Sequence, residues 1–441
     1  MDKFRKKLLE TKQVCVWGMG YLGYTEIIKL HAKGFITKVF DYTKAGYSEK
    51  FKHNNYPDRE QIFSWSFRGC IPSVDFKKVT LIKEDHGMFD SLVHILAFPS
   101  VDRENNNLLK SLSKTFLKNS KKLKGGLVIF LSAGAPGAIE RDFIAPLKKE
   151  CDCSFVSSFR SDWTVEEFLF DYQERVLAAD SQESLEKGKF FYSTLGLNFK
   201  TLGSIREAEL YENAKNTLQY VTNMFINQLA IAYPETNIRQ MTEYLLDDVK
   251  LNDSHLSIGA GGSKIPSSVE NILQGSSNPN HLSLINESQQ FNTSLILHYA
   301  EIAKKIKANS VTIMGLSVKG GQKSIELSPS LVIAEYLHRA GMTVYVDDPL
   351  YDKAAILRLL PFSKPVDILN SGLKSKVLFA MADHNEYRYL TQADIDSLKI
   401  SDADLIIDNV GLFKDFKFSA ATIYHFIGDG NLGKIIHRCA V

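Results

Sequence analysis

Short apolar runs alternate with stretches whose apolar residues recur every three or four positions. This alternation fills the first two hundred residues and returns after residue 310. The early runs are Val14–Trp17, Ile36–Phe40, Lys78–Ile82, Ser91–Ala97, Gly126–Leu131 and Phe155–Ser158. They are close to continuously hydrophobic, as strands covered on both faces are. Helical spacing appears at Tyr24–Ala32 and Leu108–Leu123. The order predicts an α/β fold with a parallel sheet.

The middle third reads differently. From Ile205 to Ala232 the residues Ala208, Tyr211, Ala214, Leu218, Val221, Phe225 and Leu229 recur at three and four, predicting one long helix. Pro234 ends or kinks it. Further helices are predicted over Met241–Val249 and Ser283–Ile306, with a glycine loop, Ser257–Pro266, before the latter. Strands return at Val311–Gly315, Val344–Val346, Val377–Ala380 and Leu405–Asp408, with a helix at Ser328–Ala340. The chain so divides into 1–204, 205–307 and 308–441, and its end repeats the architecture of its beginning. Residues 44–75 are rich in aromatic and basic side chains and read as an irregular insertion.

Composition alters this picture little. Net charge is +2 and charged residues make up 24%, so no strong field points to nucleic acid or an anionic membrane. No apolar run reaches the ~18 residues of a membrane span. Met1–Leu9 is charged and lacks the apolar centre of a signal peptide. Five scattered cysteines, with only Cys151 and Cys153 close together, read as reduced thiols of a cytoplasmic protein without a metal site.

The chemistry starts at Val14. The apolar run runs straight into Gly18-Met19-Gly20-Tyr21-Leu22-Gly23, a G-x-G-x-x-G, followed by a helical pattern, Gly34, and a second strand ending on Asp41. Each part has its own reason. Gly18 permits the tight turn out of the strand. Gly20 lets a pyrophosphate approach the backbone, beside Tyr21 and Leu22, and Gly23 lets helix and strand pack closely. The helix N-terminus offers N–H groups and a positive dipole end to phosphates. Asp41 lies where an acid bonds the ribose hydroxyls, which favours NAD over NADP; Lys44 works against that preference. Pro99-Ser100 and Ser132 follow strands at their C-terminal ends, where the nicotinamide and ribose of such a cofactor lie.

Several stretches together resemble the UDP-glucose/GDP-mannose dehydrogenase family from Val14 to about Gly411. They are the glycine turn, the helix bearing Asn216, Gly259-x-Gly261-Gly262-x-x-Ile265-Pro266, Gly315-Leu316-Ser317-Val318-Lys319, Ser328-Pro329, Asp348-Pro349 and Ala382-Asp383-His384. The resemblance implies two Rossmann-like doubly wound domains joined by a long central helix and a helical middle domain, a homodimer built on that helix, NAD as cofactor and a nucleotide sugar as substrate. The family oxidises a sugar alcohol twice, through a cysteine in G-G-x-C-x-P-K-D that traps the aldehyde.

Here that segment reads Gly261-Gly262-Ser263-Lys264-Ile265-Pro266-Ser267-Ser268. Lys264 takes the cysteine position and Ser268 that of the aspartate. An amine gives no easy route to the thioester that the second oxidation needs. Other departures agree. The family's Ser-Thr becomes Ser132-Ala133, its Pro-Glu-Arg becomes Ser158-Phe159-Arg160, and the lysine four residues before Asn216 becomes Glu212. The arginines near Ser328 and after the last strand become Glu326 and Val410.

The remaining catalytic candidates are Lys264, as base, acid or carbonyl-seeking amine, and Asn216, which holds the reacting oxygen in the family. Glu212 and Lys215, one helical turn apart, complete the set. Candidate substrate contacts are Gly259, Gly261, Gly262, Ser263, Arg160 and Lys319. The expected activity is a single two-electron oxidation of a nucleotide-linked sugar. The alternative is a binding protein that keeps NAD or nucleotide-sugar affinity in a regulatory or scaffold role.

Overall fold

The computed structural model describes residues 1–40, 78–82, 85–98, 107–160, 174–249, 256–262, 264–306 and 308–440. Asp41, Lys44, Pro99, Ser100, Ser263 and the whole 44–75 stretch lie outside the described residues.

The chain forms two compact units, one of residues 1–215 with 270–277, the other of 216–269 with 278–441. The first holds an eight-stranded sheet: β1 (Gln13–Trp17), β2 (Ile36–Phe40), β3 (Val79–Leu81), β4 (Val93–Leu96), β5 (Leu127–Phe130), β6 (Ser154–Phe159), β7 (Arg175–Ala179) and β8 (Phe199–Thr201). Its order is β3-β2-β1-β4-β5-β6-β7-β8, all parallel except the antiparallel β6–β7 pair. The order reverses beside β1, between β2 and β4, which is the point where doubly wound sheets open a crevice for ligands. Alternate residues of β1 explain its continuous hydrophobicity. Val14 and Val16 enter one core, and Cys15 and Trp17 the other, so both faces are covered.

The second unit holds a six-stranded, fully parallel sheet: β9 (Ser310–Met314), β10 (Thr343–Asp347), β11 (Lys364–Pro365), β12 (Val377–Ala380), β13 (Leu405–Asp408) and β14 (Ile423–Phe426). Its order, β11-β10-β9-β12-β13-β14, repeats that of the first unit's parallel strands. Two Rossmann-like sheets are therefore present, as the alternation predicts.

The helices that matter below are α1 (Asp2–Thr11), α2 (Tyr21–Ala32), α3 (Leu108–Lys118), α4 (Gln182–Thr194) and α5 (Ile205–Ala232). They continue with α6 (Ile238–Asp248), α7 (Ile265–Gly275), α8 (Ser283–Lys305) and α9 (Pro329–Arg339). The long helix α5 spans the predicted bounds and is shared by the two units, residues to Lys215 with the first and those from Asn216 with the second.

Two expectations change. The 108–123 pattern is not one helix: α3 ends at Lys118 and a 3₁₀ turn, Ser120–Leu123, follows. The glycine loop is shorter than read, because α7 already starts at Ile265. The charged N-terminus folds as an amphipathic helix burying Phe4 and Leu8. No helix among the described residues is long and apolar enough to cross a membrane.

Candidate functional site

The β1 turn shows what each glycine does. Gly18 has φ +99, and a Cβ there would lie 2.6 Å from the carbonyl oxygen of Ala97. A Cβ on Gly23 would collide with the carbonyl oxygen of Gly18, so the helix seats on the strand only without a side chain. Gly20 is different. A Cβ there meets nothing within 4 Å, and its φ of −70° suits any residue. Folding alone does not require glycine at this position, and the space in front of the turn is open among the described residues. Gly20 is also the N-cap of α2 and gives the helix no side-chain cap. The positive end of the helix is thus presented as a phosphate site requires. The turn fits a dinucleotide, with Gly18, Gly20 and Gly23 in the parts read from the sequence and Tyr21 and Leu22 opening α2. Ser132 stands half-buried just beyond β5.

The same unit contains a cavity of about 190 Å³ lined by Phe159, Arg160, Glu174, Arg175, Val176, Tyr211, Glu212 and Lys215. It joins Arg160, just after β6, to Glu212 and Lys215 on α5, which the sequence nominated as a pair apart from it. Glu212 is buried at 6% exposure, whereas Lys215, one turn on, is exposed. Arg160 is placed against the dinucleotide helix. Its Nη1 donates to the carbonyl of Leu22 at 3.0 Å and to Glu26 Oε2 at 3.4 Å, and its guanidinium lies 5.6 Å from the centre of the Tyr21 ring. Arg175 donates to the same Glu26 oxygen at 3.0 Å. Glu26 and Arg175 were not singled out from the sequence. The available signal was an acid inside the apolar face of α2 and an arginine opening an otherwise apolar strand.

The turn after β5 is held by α5. Glu209 accepts from the N–H groups of Gly137 at 2.7 Å and Ile139 at 3.2 Å, and Asn213 donates to the carbonyl of Gly134 at 2.8 Å. Burial pushes the Glu209 carboxyl up to about 7, against the pull of those N–H donors.

In the second unit, Asn216 and Ser268 meet. Asn216 Nδ2 donates to Ser268 Oγ at 3.0 Å, and Ser268 Oγ donates to the carbonyl of Lys264 at 2.8 Å. Ser268 therefore connects Asn216 to the backbone of Lys264. Lys264 is partly buried, one residue before α7.

The glycine loop is built by close packing. Gly262 has φ +89 and its N–H is taken by the carbonyl of Glu326 at 2.8 Å. Ala260 N–H is taken by Asn292 of α8 at 2.7 Å, and Gly261 packs on the carbonyl of Leu327. A Cβ on Gly259 would press into Ile296. Gly262 N–H is thus committed within the fold rather than offered to a diphosphate. Lys319 is exposed on the β9 turn. That turn is filled from inside: Asp348 Oδ2 accepts from Leu316 N–H at 2.7 Å and Ser317 N–H at 3.0 Å. His384 Nδ1 accepts from Gly321 N–H, so its Nε2 carries the proton that it gives to Asp348 at 3.2 Å. Burial raises the Asp348 carboxyl, but the bonds from His384, Ser317 and Leu350 outweigh it and hold the group below its usual range.

Comparison with known proteins follows this geometry. Residues 312–415 match the UDP binding domain of the UDP-glucose/GDP-mannose dehydrogenase family. The chain is 24% identical over 397 residues to a UDP-N-acetyl-D-mannosamine dehydrogenase of Methanocaldococcus jannaschii, covering 88% of this chain and 89% of that one. It is 23% identical over 351 residues to a UDP-glucose 6-dehydrogenase of Rickettsia typhi, covering 76% and 80%. Among solved structures it resembles a UDP-D-ManNAc dehydrogenase from Pyrococcus horikoshii, with TM-score 0.73 at 17% identity over 95% of this chain and 100% of that one. It also resembles a UDP-glucose dehydrogenase from Pyrobaculum islandicum, with TM-score 0.76 at 14% identity over 94% and 97%. The family resemblance read from the sequence is borne out, and these structures share its fold.

Proposed function

We infer that this chain, a relative of the UDP-glucose/GDP-mannose dehydrogenase family, is an NAD-dependent oxidoreductase that takes one hydride from a nucleotide-linked sugar. The carrying observation is the β1 turn. Its glycines are kept, including Gly20, where folding alone would accept a side chain. Bound NAD supplies the hydride acceptor, and Gly18, Gly20, Gly23 and the first turn of α2 hold its diphosphate. On this reading Asp41, Pro99, Ser100 and Ser132 complete the cofactor site, with Asp41 favouring NAD.

The single oxidation rests on Lys264. An amine at the position of the trapping cysteine removes the thiohemiacetal route, so the product stays a carbonyl. Lys264 takes the alcohol proton as general base, and Asn216, oriented by Ser268, binds the reacting oxygen. Glu212, Lys215 and Arg160 face the cavity in which a polar sugar is held. Gly259, Gly261, Ser263 and Lys319 belong to the nucleotide-sugar side. The names of the relatives support a UDP-linked substrate.

We keep the three-part division at 204 and 307, and assign dimerisation to α5. Tyr211, Leu218 and Phe225 lie at heptad spacing on one face of that helix, exposed at 47%, 57% and 51%.

The test is NADH absorbance counted against product. One NADH per sugar with a carbonyl product, abolished by Lys264→Ala, is the expected result; two NADH per sugar with a uronic acid product overturns the reading. The second reading, a binding protein, is favoured by the joint substitution of the family's catalytic identities. It is rejected by turnover of any nucleotide sugar that Lys264→Ala removes.

A further inference from the structure

Glu26 sits in the middle of the dinucleotide helix with no exposed surface, and both cavity arginines end on its Oε2. All three side chains are at least nine-tenths buried. Stability does not explain such a centre, because a buried ion triad is commonly replaced by apolar residues without loss. It is also incompletely satisfied. Among the described residues, Glu26 Oε1 and Arg175 Nη1 have no hydrogen-bond partner. These groups are neighbours, since Glu26, Arg175, Arg160 and Ser158 all act on the Tyr192 hydroxyl. Each unsatisfied buried group costs stability. A polar centre kept at such a cost, on the back of a ligand-binding helix, calls for a functional account.

The geometry supplies one. Arg160 is the residue that reaches from the centre to the first turn of α2, through the Leu22 carbonyl and the face of Tyr21. Glu26, one turn further along the same helix, accepts from the same guanidinium at 3.4 Å. The helix turn that would meet the phosphates is thus clamped to the end of β6 by a guanidinium whose position Glu26 sets. Arg175 joins β7 to the same carboxylate. Two walls of the cavity are thereby referred to the cofactor helix.

We propose that Glu26 is a positioning residue for the cofactor: it holds Arg160, and with it the Tyr21–Leu22 turn, in the geometry that receives the dinucleotide diphosphate. This deepens the NAD reading above and rests on it.

The test is titration of the full chain with NADH, followed by fluorescence, beside thermal melting. Two variants are compared with wild type: Glu26→Gln, and the apolar replacement Glu26→Leu/Arg160→Met/Arg175→Leu. Glu26→Gln leaves two buried arginines without a counter-charge and can fail to fold, in which case the apolar variant decides. A merely structural centre predicts that the apolar variant keeps both melting temperature and NADH affinity. The positioning role predicts that it keeps the melting temperature while its Kd rises about tenfold or more, equivalent to roughly 1.4 kcal/mol. Unchanged NADH affinity in the apolar variant, with wild type binding, overturns the proposal alone. Failure of wild type to bind NADH overturns the cofactor reading together with it.

Discussion

The two units use the same strand order and treat the turn after their first strand in opposite ways. After β1, the turn leads into α2 through Gly20, with open space before it and no side-chain cap on the helix. After β9, Asp348 and His384 fold inward and take the N–H groups of Leu316, Ser317 and Gly321. Gly320 there is packed so closely that a Cβ would collide with the carbonyl of Asp383. The acid after β10 therefore occupies, from within the protein, the place where the first unit presents donors to an external anion. Strand order sets where a crevice opens; the partners of a few N–H groups decide whether it is a dinucleotide site.

The difference breaks most readily at Asp348. Asp348→Ala leaves three backbone donors (Leu316, Ser317 and Leu350), the Ser317 hydroxyl and His384 without their acceptor, and should destabilise the second unit by about 3 kcal/mol or more. NADH affinity should stay unchanged. Urea unfolding followed beside NADH titration measures both. The carboxyl is held low in the fold, so its contribution is present above the unfolded value of 3.8 and is lost as pH falls through the folded one. Melting of wild type should therefore decline in acid more steeply than that of Asp348→Asn.

In the first unit, Glu209 gives the opposite sign. Its folded value of about 7 lies above the unfolded 4.5, so its contribution is complete below 4.5 and lost as pH rises through 7. Across that window the loss approaches ~1.4 kcal/mol per pH unit for this one group. Glu209→Gln should flatten the decline in melting temperature between these pH values. An unchanged slope would place the carboxyl's titration elsewhere.

A smaller effect is expected at Ser268. Ser268→Ala removes the hydrogen bond from Asn216 and the one to the Lys264 carbonyl, each worth about 1 kcal/mol of stability. Turnover should fall through kcat more than through KM, because Asn216 loses its orientation and not its presence. Steady-state kinetics with the substrate identified by screening decides this, and a pure KM effect would remove Asn216 from the chemistry.

The strand and long-helix pattern was legible because parallel strands covered on both faces leave continuous apolar runs, and α5 leaves a three-and-four repeat. The antiparallel β7 left an apolar run, Val176–Ala179, that was not read as a strand, whereas the short edge strands β8 and β11 left no such mark. Their three-dimensional neighbours, not their composition, make them strands. The glycine turn was legible residue by residue, because each glycine answers a separate steric demand. The Glu26 centre was not, since an ion triad assembled from α2, β6 and β7 has no sequence spacing of its own. The glycine loop before α7 shows the converse. Gly259, Gly261 and Gly262 read like a phosphate cradle, whereas Gly262 N–H is already paired with the carbonyl of Glu326.

The most direct test of the account is NADH binding by wild type and by Gly20→Val. The Gly20 backbone accepts a Cβ without collision, so the melting temperature should hold within the loss of about 1 kcal/mol expected at an N-cap. The account predicts saturable binding by wild type and a Kd raised at least ~100-fold in the variant, about 2.7 kcal/mol. Equal affinity in the two proteins, or no saturable binding by wild type, would contradict it.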